Sequence, residues 1–210
     1  MKTWYLAAAT SLMFASPATA AVTVYNNLAS FTGALSSSQT VDFNSLGNGF
    51  YGGPGFGGVG QVTAGGVTVT TTTSFLFSQA NNAYGTGTNL SAQQFSPTSV
   101  NVLLGSPITA FGFNYSTRTP VTIAVGGHLL SANSSPFPNL GFIGFTADSP
   151  FSNLSISVPG DGIDLDNFTF GVATPIAAVP EPSTWGIMIV GFGMVGMAAR
   201  RRKAVRVTYA

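Results

Sequence analysis

Apolar and polar residues through the middle of the chain alternate in short runs, and nowhere keep the 3.6-residue period of a long amphipathic helix. Val67-Thr68-Val69-Thr70 shows the pattern most simply, apolar and hydroxylated by turns, as a strand with one buried face requires. Further strands are predicted at Val22 to Tyr25, Thr40 to Phe43, Val100 to Leu103, Ala110 to Tyr115, Val121 to Val125, Phe142 to Thr146, Leu154 to Val158 and Phe168 to Phe170. Phe111, Phe113 and Tyr115 fall on one face at period two and supply a large apolar area to a core. Phe142 to Phe145 and Asn167 to Phe170 are expected to do the same. Turn signals separate these runs: Thr119-Pro120, Pro136-Phe137-Pro138, Ser149-Pro150 and Pro159-Gly160-Asp161-Gly162. Gly126-Gly127 before His128 to Leu130 predicts a hairpin. Many short strands with regular turns predict an all-β fold, an antiparallel β-sandwich or jelly roll, as one domain over residues 21–172.

Both ends break this pattern. Lys2 followed by a mostly apolar stretch from Trp4 to Phe14, and then by the small residues Pro17-Ala18-Thr19-Ala20, has the layout of a cleavable secretory signal over residues 1–20. Cleavage between Ala20 and Ala21 would leave Ala21 as the first mature residue. At the other end, Gly171 is expected to finish the last strand, and residues 173–179 form a linker containing Thr174-Pro175. Next comes Pro180-Glu181-Pro182, which two prolines should hold extended and exposed. Trp185 to Ala199 follows without a charge, and Arg200, Arg201, Arg202 and Lys203 close the segment ahead of a tail at 204–210.

The uncharged stretch predicts a transmembrane helix over 185–199. Its fifteen residues rise ~22 Å, short of a ~30 Å hydrocarbon core, so Trp185 at one interface and the basic side chains at the other must cover the difference. The excess of positive charge places residues 204–210 in the cytoplasm and Pro180-Glu181-Pro182 outside.

Pro180-Glu181-Pro182-Ser183-Thr184-Trp185, then a glycine-rich apolar run, then an arginine cluster, resembles the PEP-CTERM sorting signal of Gram-negative bacteria over residues 180–203. Gly186 stands where this variant usually has alanine, and residues 204–210 extend past the usual end. The same segment also carries the label ice-binding-protein C-terminal domain, which implies no ice binding. The resemblance implies recognition by an exosortase, a membrane-embedded cysteine protease or transpeptidase. That enzyme removes the anchor and passes the protein to the cell surface or a polysaccharide matrix. On that reading membrane lipid is a partner before processing and an exosortase-like enzyme during it. The competing reading of both ends is a plain single-span protein with its N-terminus outside and no processing.

Charge narrows what the remainder can do. Between Ala21 and Val179 stand five aspartates, Asp42, Asp148, Asp161, Asp164 and Asp166, against Arg118 alone, a net charge of −4. Six of the seven lysines and arginines lie in the two end segments, so no basic surface is left to neutralise phosphates, and nucleic acid is not an expected partner. Cysteine is absent from the whole chain, which excludes disulfides and thiolate sites. With one histidine, no lysine and no glutamate in this region, an enzyme is not expected.

Three groups of residues could carry chemistry. Gly47 to Gly60 matches GxGxxG twice, but so does Gly191 to Gly196 in the apolar tail, and none of the matches opens a βαβ unit. The stretch is expected to be a surface loop exposing Phe50, Tyr51 and Phe56, aromatics able to stack on sugar rings of an extracellular polysaccharide or on a neighbouring protein's surface. Asp161, Asp164, Asp166 and Asn167 form the densest oxygen cluster, and calcium, which takes six to eight oxygens, is the cofactor such a cluster would suit. Against it stands a turn before a strand, its aspartates capping backbone amides. His128 and Arg118 flank the Val121 strand and are read as solvated or hydrogen-bonded.

The resulting expectation is an exported, non-catalytic surface or matrix protein, a structural component of a biofilm. Its alternative is a lectin-like glycan-binding module, braced by calcium.

Overall fold

The computed structural model describes residues 21–80, 84–93, 97–160, 162–175 and 182–200, leaving Asp161, Pro180, Glu181, Arg201, Arg202, Lys203 and Ala20 outside the described residues. In chain order the elements are β1 (Val22–Tyr25), α1 (Leu28–Gly33), β2 (Leu35–Val41), a 3-10 turn (Asn44–Leu46), β3 (Gly49–Phe50), β4 (Gly60–Ala64), β5 (Val67–Thr71), β6 (Phe75–Gln79) and β7 (Asn89–Gln93). They continue with β8 (Thr98–Ser116), β9 (Val121–Val125), β10 (His128–Ala132), β11 (Gly141–Val158), β12 (Ile163–Ala173) and α2 (Pro182–Arg200).

All strand pairs between these elements are antiparallel, as expected, but four of the predicted strands are two. Val100–Leu103 and Ala110–Tyr115 belong to the single 19-residue β8, and Phe142–Thr146 and Leu154–Val158 to the 18-residue β11. These two long strands pair with each other twice, Thr98–Leu103 against Asn153–Val158 and Ile108–Tyr115 against Gly141–Phe151. Register shifts between the two ladders fall on either side of the Phe151–Ile108 pair, with Pro150 next to Phe151 and Pro107 next to Ile108. A proline there forfeits no regular ladder bond, so Ser149-Pro150 interrupts pairing without ending the strand. One half of the sheet runs β4-β5-β8-β11-β9-β10. The other adds β1 to β11 on one side and β12 to β8 on the other, with β2 and β7 both on β12, followed by β6 and β3.

Inward side chains of both halves form one core. Val62, Val69, Val102, Ile123 and Ile156 come from the first, and Phe111, Phe113, Phe145 and Phe168 from the second. Phe111 sits 5.2 Å from Phe168 and 6.3 Å from Phe145, centroid to centroid. Phe111, Phe113 and Tyr115 share the buried face as predicted, with the Tyr115 hydroxyl donating to the Asn133 carbonyl at 2.7 Å. Gly126 and Gly127, with φ of 54° and 83°, make the predicted two-residue hairpin between β9 and β10, which needs two consecutive positive φ values.

Phe142 differs from expectation: it pairs with Asn114, so it points away from the core and meets Phe31 of α1 at 5.7 Å. Phe31 is fully buried there because Gly144 and Gly112 are directly paired and together leave a flat seat. A β-carbon on Gly144 would lie 2.7 Å from the Phe31 ring, and one on Gly112 3.0 Å from it. Helix α1 is held in place by its Asn27 cap, whose side chain accepts from the Ser30 amide at 2.8 Å.

Two strand ends also differ. β2 stops at Val41, because Phe43 turns into the left-handed region at φ 56° and drives its ring edge-on against Phe168 at 5.0 Å. β12 runs on to Ala173 instead of ending at Gly171, and the Thr174 amide still donates to the Ala34 carbonyl at 2.8 Å.

The C-terminal segment from Pro175 is a unit separate from the sheet domain that ends at Thr174. Its helix α2 exposes apolar side chains at Ile187, Met188, Val190, Phe192 and Val195. The expected transmembrane helix over 185–199 is not met, since among the described residues no helix is long and apolar enough to cross a membrane. Fifteen uncharged residues at ~1.5 Å each rise ~22 Å, short of a ~30 Å hydrocarbon core.

The seat of Phe31 gives a direct test. Phe31→Ala should cost about 3–5 kcal/mol and Gly144→Ala about 1–3 kcal/mol in urea denaturation, and in the Phe31→Ala background the glycine substitution should cost well under 1 kcal/mol. Additive costs would mean that the two positions do not share a contact.

Candidate functional site

The sorting tail is described only in part. Pro182 was expected to prolong an extended motif, yet it opens α2. At the first turn its missing amide hydrogen costs no helical bond and its fixed φ suits the helix. Trp185 lies one turn in, more than half exposed, and Arg200 closes the last turn, where a cation complements the helix dipole.

The glycine-rich stretch is a set of tight turns. Gly52, Gly53, Gly55, Gly57 and Gly58 all have positive φ, and Gly53 bridges to Phe56 and Gly57. The glycines answer a backbone demand that only they meet cheaply, and no helix follows to receive a phosphate. The loop brings Phe50 and Phe56 together, 5.6 Å apart and edge to face, and adds Phe75, which the sequence reading missed, at 6.4 Å and 5.9 Å. With Phe77 these rings line an open, wholly apolar hollow of about 470 Å³ in which Phe56 is 65% exposed. Tyr51 does not join them. Its ring folds back over Gly49, where a β-carbon would come within 2.6 Å of the hydroxyl, and that hydroxyl bonds Ser78 Oγ at 3.1 Å. The alternation that exposes Phe50 turns its neighbour toward the core.

The outer face of the β4-β5-β8-β11-β9-β10 half is built from cross-strand rows. One row is Gln61, Thr70, Asn101, Ser155, Ala124 and Leu129. The row beside it is Thr63, Thr68, Leu103 and Asn153, and the row on the other side is Ser99, Ser157, Thr122 and Ser131. No residue of the three rows is charged. His128 borders a shallow hollow of about 520 Å³ on this face together with Asn101, Leu103 and Asn153. The strand spacing of ~4.8 Å and the ~6.8 Å repeat along each strand array hydroxyls and amides over a broad, neutral surface.

The aspartate cluster divides. Asp164 and Asp166 lie on β12 itself, not in a turn ahead of it, and share its outer face. Tyr84 and Ser91 both donate to Asp164, one to each carboxylate oxygen. Burial and the hydrogen bond to Asp164 push the Tyr84 phenol up to about 12, so it stays a donor. Asn167 occupies a bulge with φ 50°, where two residues of β12 face one of β8, and its amide donates to Asp166 Oδ1 at 2.7 Å. Asp166 is fully buried, and its Oδ2 has no hydrogen-bond partner. Burial pushes its carboxyl up to about 6, against lowering by the Thr86 hydroxyl and the Asn167 amide, and Asp42 raises it further. Asp42 lies just past β2 and accepts from the Asn44 amide at 3.1 Å and from its side chain at 2.8 Å. Asn89, Ser91, Tyr84, Thr86 and Asp42 had no sequence signal as parts of this site, because they come from strands and loops 70 or more residues away. Among the described residues no group of three or more His, Asp or Glu side chains forms a ready metal centre.

A carboxyl whose folded value lies above its unfolded 3.8 favours folding when protonated. Its contribution is complete below about pH 4 and lost as pH rises through about 6. In metal-free buffer the wild-type chain should therefore lose up to about 3 kcal/mol between pH 4 and pH 7 through this group, and Asp166→Asn should flatten that part of the profile. Parallel profiles for the two proteins would exclude a desolvated Asp166.

Comparison with known proteins bears on the tail. A family model of the PEP-CTERM protein-sorting motif matches residues 178–203. No curated protein matches the chain. Among solved structures, a mutant of CBM29-2, a family 29 carbohydrate-binding module, is 15% identical, with 70% of this chain and 100% of that one covered and a TM-score of 0.34. The catalytic domain of a GH87 alpha-1,3-glucanase in complex with tetrasaccharides is 16% identical, with 69% of this chain and 30% of that one covered and a TM-score of 0.37. Likeness at this level carries no argument about what this chain binds. By its tail, at residues 178–203, this chain is a bearer of the PEP-CTERM protein-sorting motif.

Proposed function

We propose that the protein is an exported, non-catalytic surface or matrix component whose tail is read and processed by an exosortase-type enzyme. The match of residues 178–203 to the sorting motif carries this reading, and Pro180, Glu181, Pro182 and Trp185 are its recognition element. At the other end, the Ala21 amide lies 3.2 Å from Asp148 Oδ2, and the Asp148 amide donates to the Ala21 carbonyl at 3.1 Å. Cleavage between Ala20 and Ala21 would turn that amide into an ammonium facing the carboxylate. Low charge, abundant hydroxyl and amide groups and a lack of lysine and cysteine suit a structural role for the domain.

Intact mass of the protein from cells with and without a functional sorting enzyme tests this. A mature form beginning at Ala21 and shortened at its C-terminus only in the presence of that enzyme is expected. An intact Ala210 in both strains would leave a protein that the enzyme does not process.

The second reading, a glycan-binding domain, is favoured by the uncharged rows from Gln61 to Leu129 and by the aromatic group of Phe50, Phe56 and Phe75. Neutral hydroxyl and amide arrays match the hydrogen-bonding groups of neutral polysaccharides, and aromatic faces stack on sugar rings. On a polysaccharide array, selective binding that Asn101→Ala and Phe56→Ala each weaken tenfold or more would establish this role. Binding that neither substitution changes would remove both surfaces from consideration.

A further inference from the structure

At the start of β12, buried oxygen atoms outnumber the protons available to them. Asp164 faces Ser91 of β7 and Leu165 faces Leu90, and continuing that antiparallel register by one residue sets Asp166 opposite Asn89. Both residues are buried to within 1%, and each keeps one oxygen without a hydrogen-bond partner, Asp166 Oδ2 and Asn89 Oδ1. Facing residues of such a pair have β-carbons ~5 Å apart, which brings these two acceptors to one small space.

The neighbouring donors are already committed. The Ser91 proton goes to Asp164 Oδ1, the Tyr84 proton to Asp164 Oδ2, and the Asn167 amide to Asp166 Oδ1, while the Thr86 hydroxyl also bonds the Asp166 carboxyl and still leaves Oδ2 without a partner. Asn89 Nδ2 donates to Ser91 Oγ at 3.0 Å. Turning the Asn89 amide over only moves the shortage, because Nδ2 would then serve Asp166 while Oδ1 competed with Asp164 for the single Ser91 proton. Two acceptors that face each other in a buried space need a third species between them.

We infer that this species is a calcium ion held by Asp166 Oδ2 and Asn89 Oδ1, with Asp164 as a further carboxylate ligand and the Thr86 hydroxyl beside it. Every available ligand is oxygen, with no thiolate and no imidazole, which selects a hard cation. Magnesium keeps several waters in a strict octahedron, whereas calcium accepts mixed carboxylate, amide and hydroxyl oxygens with relaxed geometry. The ligands come from β7, from the loop before it and from β12, so this is not the contiguous Asp161-to-Asn167 loop that the sequence suggests. Bound there, the ion fastens residues 86–89 to β12. Its charge also meets that of Asp42, Asp164 and Asp166, in a domain with one arginine. The affinity expected of extracellular calcium modules is ~0.1–1 mM.

The test uses the full-length chain in detergent micelles, stripped with chelator and then given calcium chloride, magnesium chloride or sodium chloride at matched ionic strength. Calcium in tenfold excess over its dissociation constant should raise the melting temperature by about 3–6 °C, and the other two salts by less than 1 °C. Asp166→Asn and Asn89→Ala should each lose that increment, while Asn89→Asp should bind calcium about tenfold more tightly. Terbium in place of calcium should luminesce on tyrosine excitation, and Tyr84→Phe should remove most of that signal while keeping the calcium-dependent rise. Should Asp166→Asn fail to fold, Asn89→Ala and the terbium signal decide. No calcium-specific rise in the wild-type chain, or an equal rise in Asn89→Ala, would overturn the inference and leave a proton or a water between the two oxygens.

Discussion

The hydrogen-bonded partnership of β8 and β11 is the constraint on which the rest of the domain hangs. Each strand is long enough to serve both halves of the sheet, and each is interrupted where the other is. The irregular stretch around Pro107 and Pro150 lets one pair of chains contribute to two differently facing ladders without an added loop. Most other strands then dock on that pair or on a neighbour of it, β5 and β9 on one half and β1 and β12 on the other, with β6 and β3 added outward from β7. Because side chains alternate, fixing this one register also fixes which residues face the core. A one-residue slip of β8 would turn Phe111, Phe113 and Tyr115 to the outside and Gly112 and Asn114 inward. The Gly112–Gly144 pair guards the same register from the other face, since only that pairing leaves room for Phe31.

Much of this was legible in the sequence, for a definite reason. Strands such as Val67–Thr71 and Val121–Val125 bury one face only, so their alternation is visible, and Gly126-Gly127 announces its own turn. Strands covered on both sides were harder to read. Asn89–Gln93 carries a buried asparagine and a buried serine among apolar residues, because its second face meets a polar cluster instead of solvent. The sorting tail was legible because it is contiguous. The site at Asp166 was only half legible for the opposite reason: the carboxylates are close in sequence, but their partners Asn89, Ser91 and Tyr84 are joined to them by the sheet. Tyr51 was misplaced because composition marks a loop as aromatic without saying which way each ring turns.

The two surfaces of the domain have opposite chemistry. Along the rows from Gln61 to Leu129 the chain presents neutral hydroxyls and amides that water already satisfies, and binding there exchanges one set of weak hydrogen bonds for another. At the tip, Phe50, Phe56 and Phe75 cover one another edge to face. Each ring in that arrangement hides part of its flat face from a would-be stacking ligand, so the rows offer the larger continuous surface and the rings a smaller, drier one. Few charges on either surface suit the proposed destination, since neutral surfaces neither repel acidic polymers nor condense on them.

Against that neutral background, the placement of the aspartates is informative. Five carboxylates occur between Ala21 and Val179; Asp164 and Asp166 share one face of β12, Asp166 is wholly buried, and Asp42 acts on it electrostatically. Folding alone gives no reason to assemble like charges in a place of low dielectric, because each raises the cost of the others. An apolar residue at position 166 would fill the same outer face of β12 at lower cost, since the bulge at Asn167 already settles the strand's register. The network around Asp164 is fully donated and rigid, whereas the opposing oxygens of Asp166 and Asn89 are not. A domain so sparing of charge that concentrates it at one buried point has built something that needs charge there, and two facing acceptors define what that something must supply.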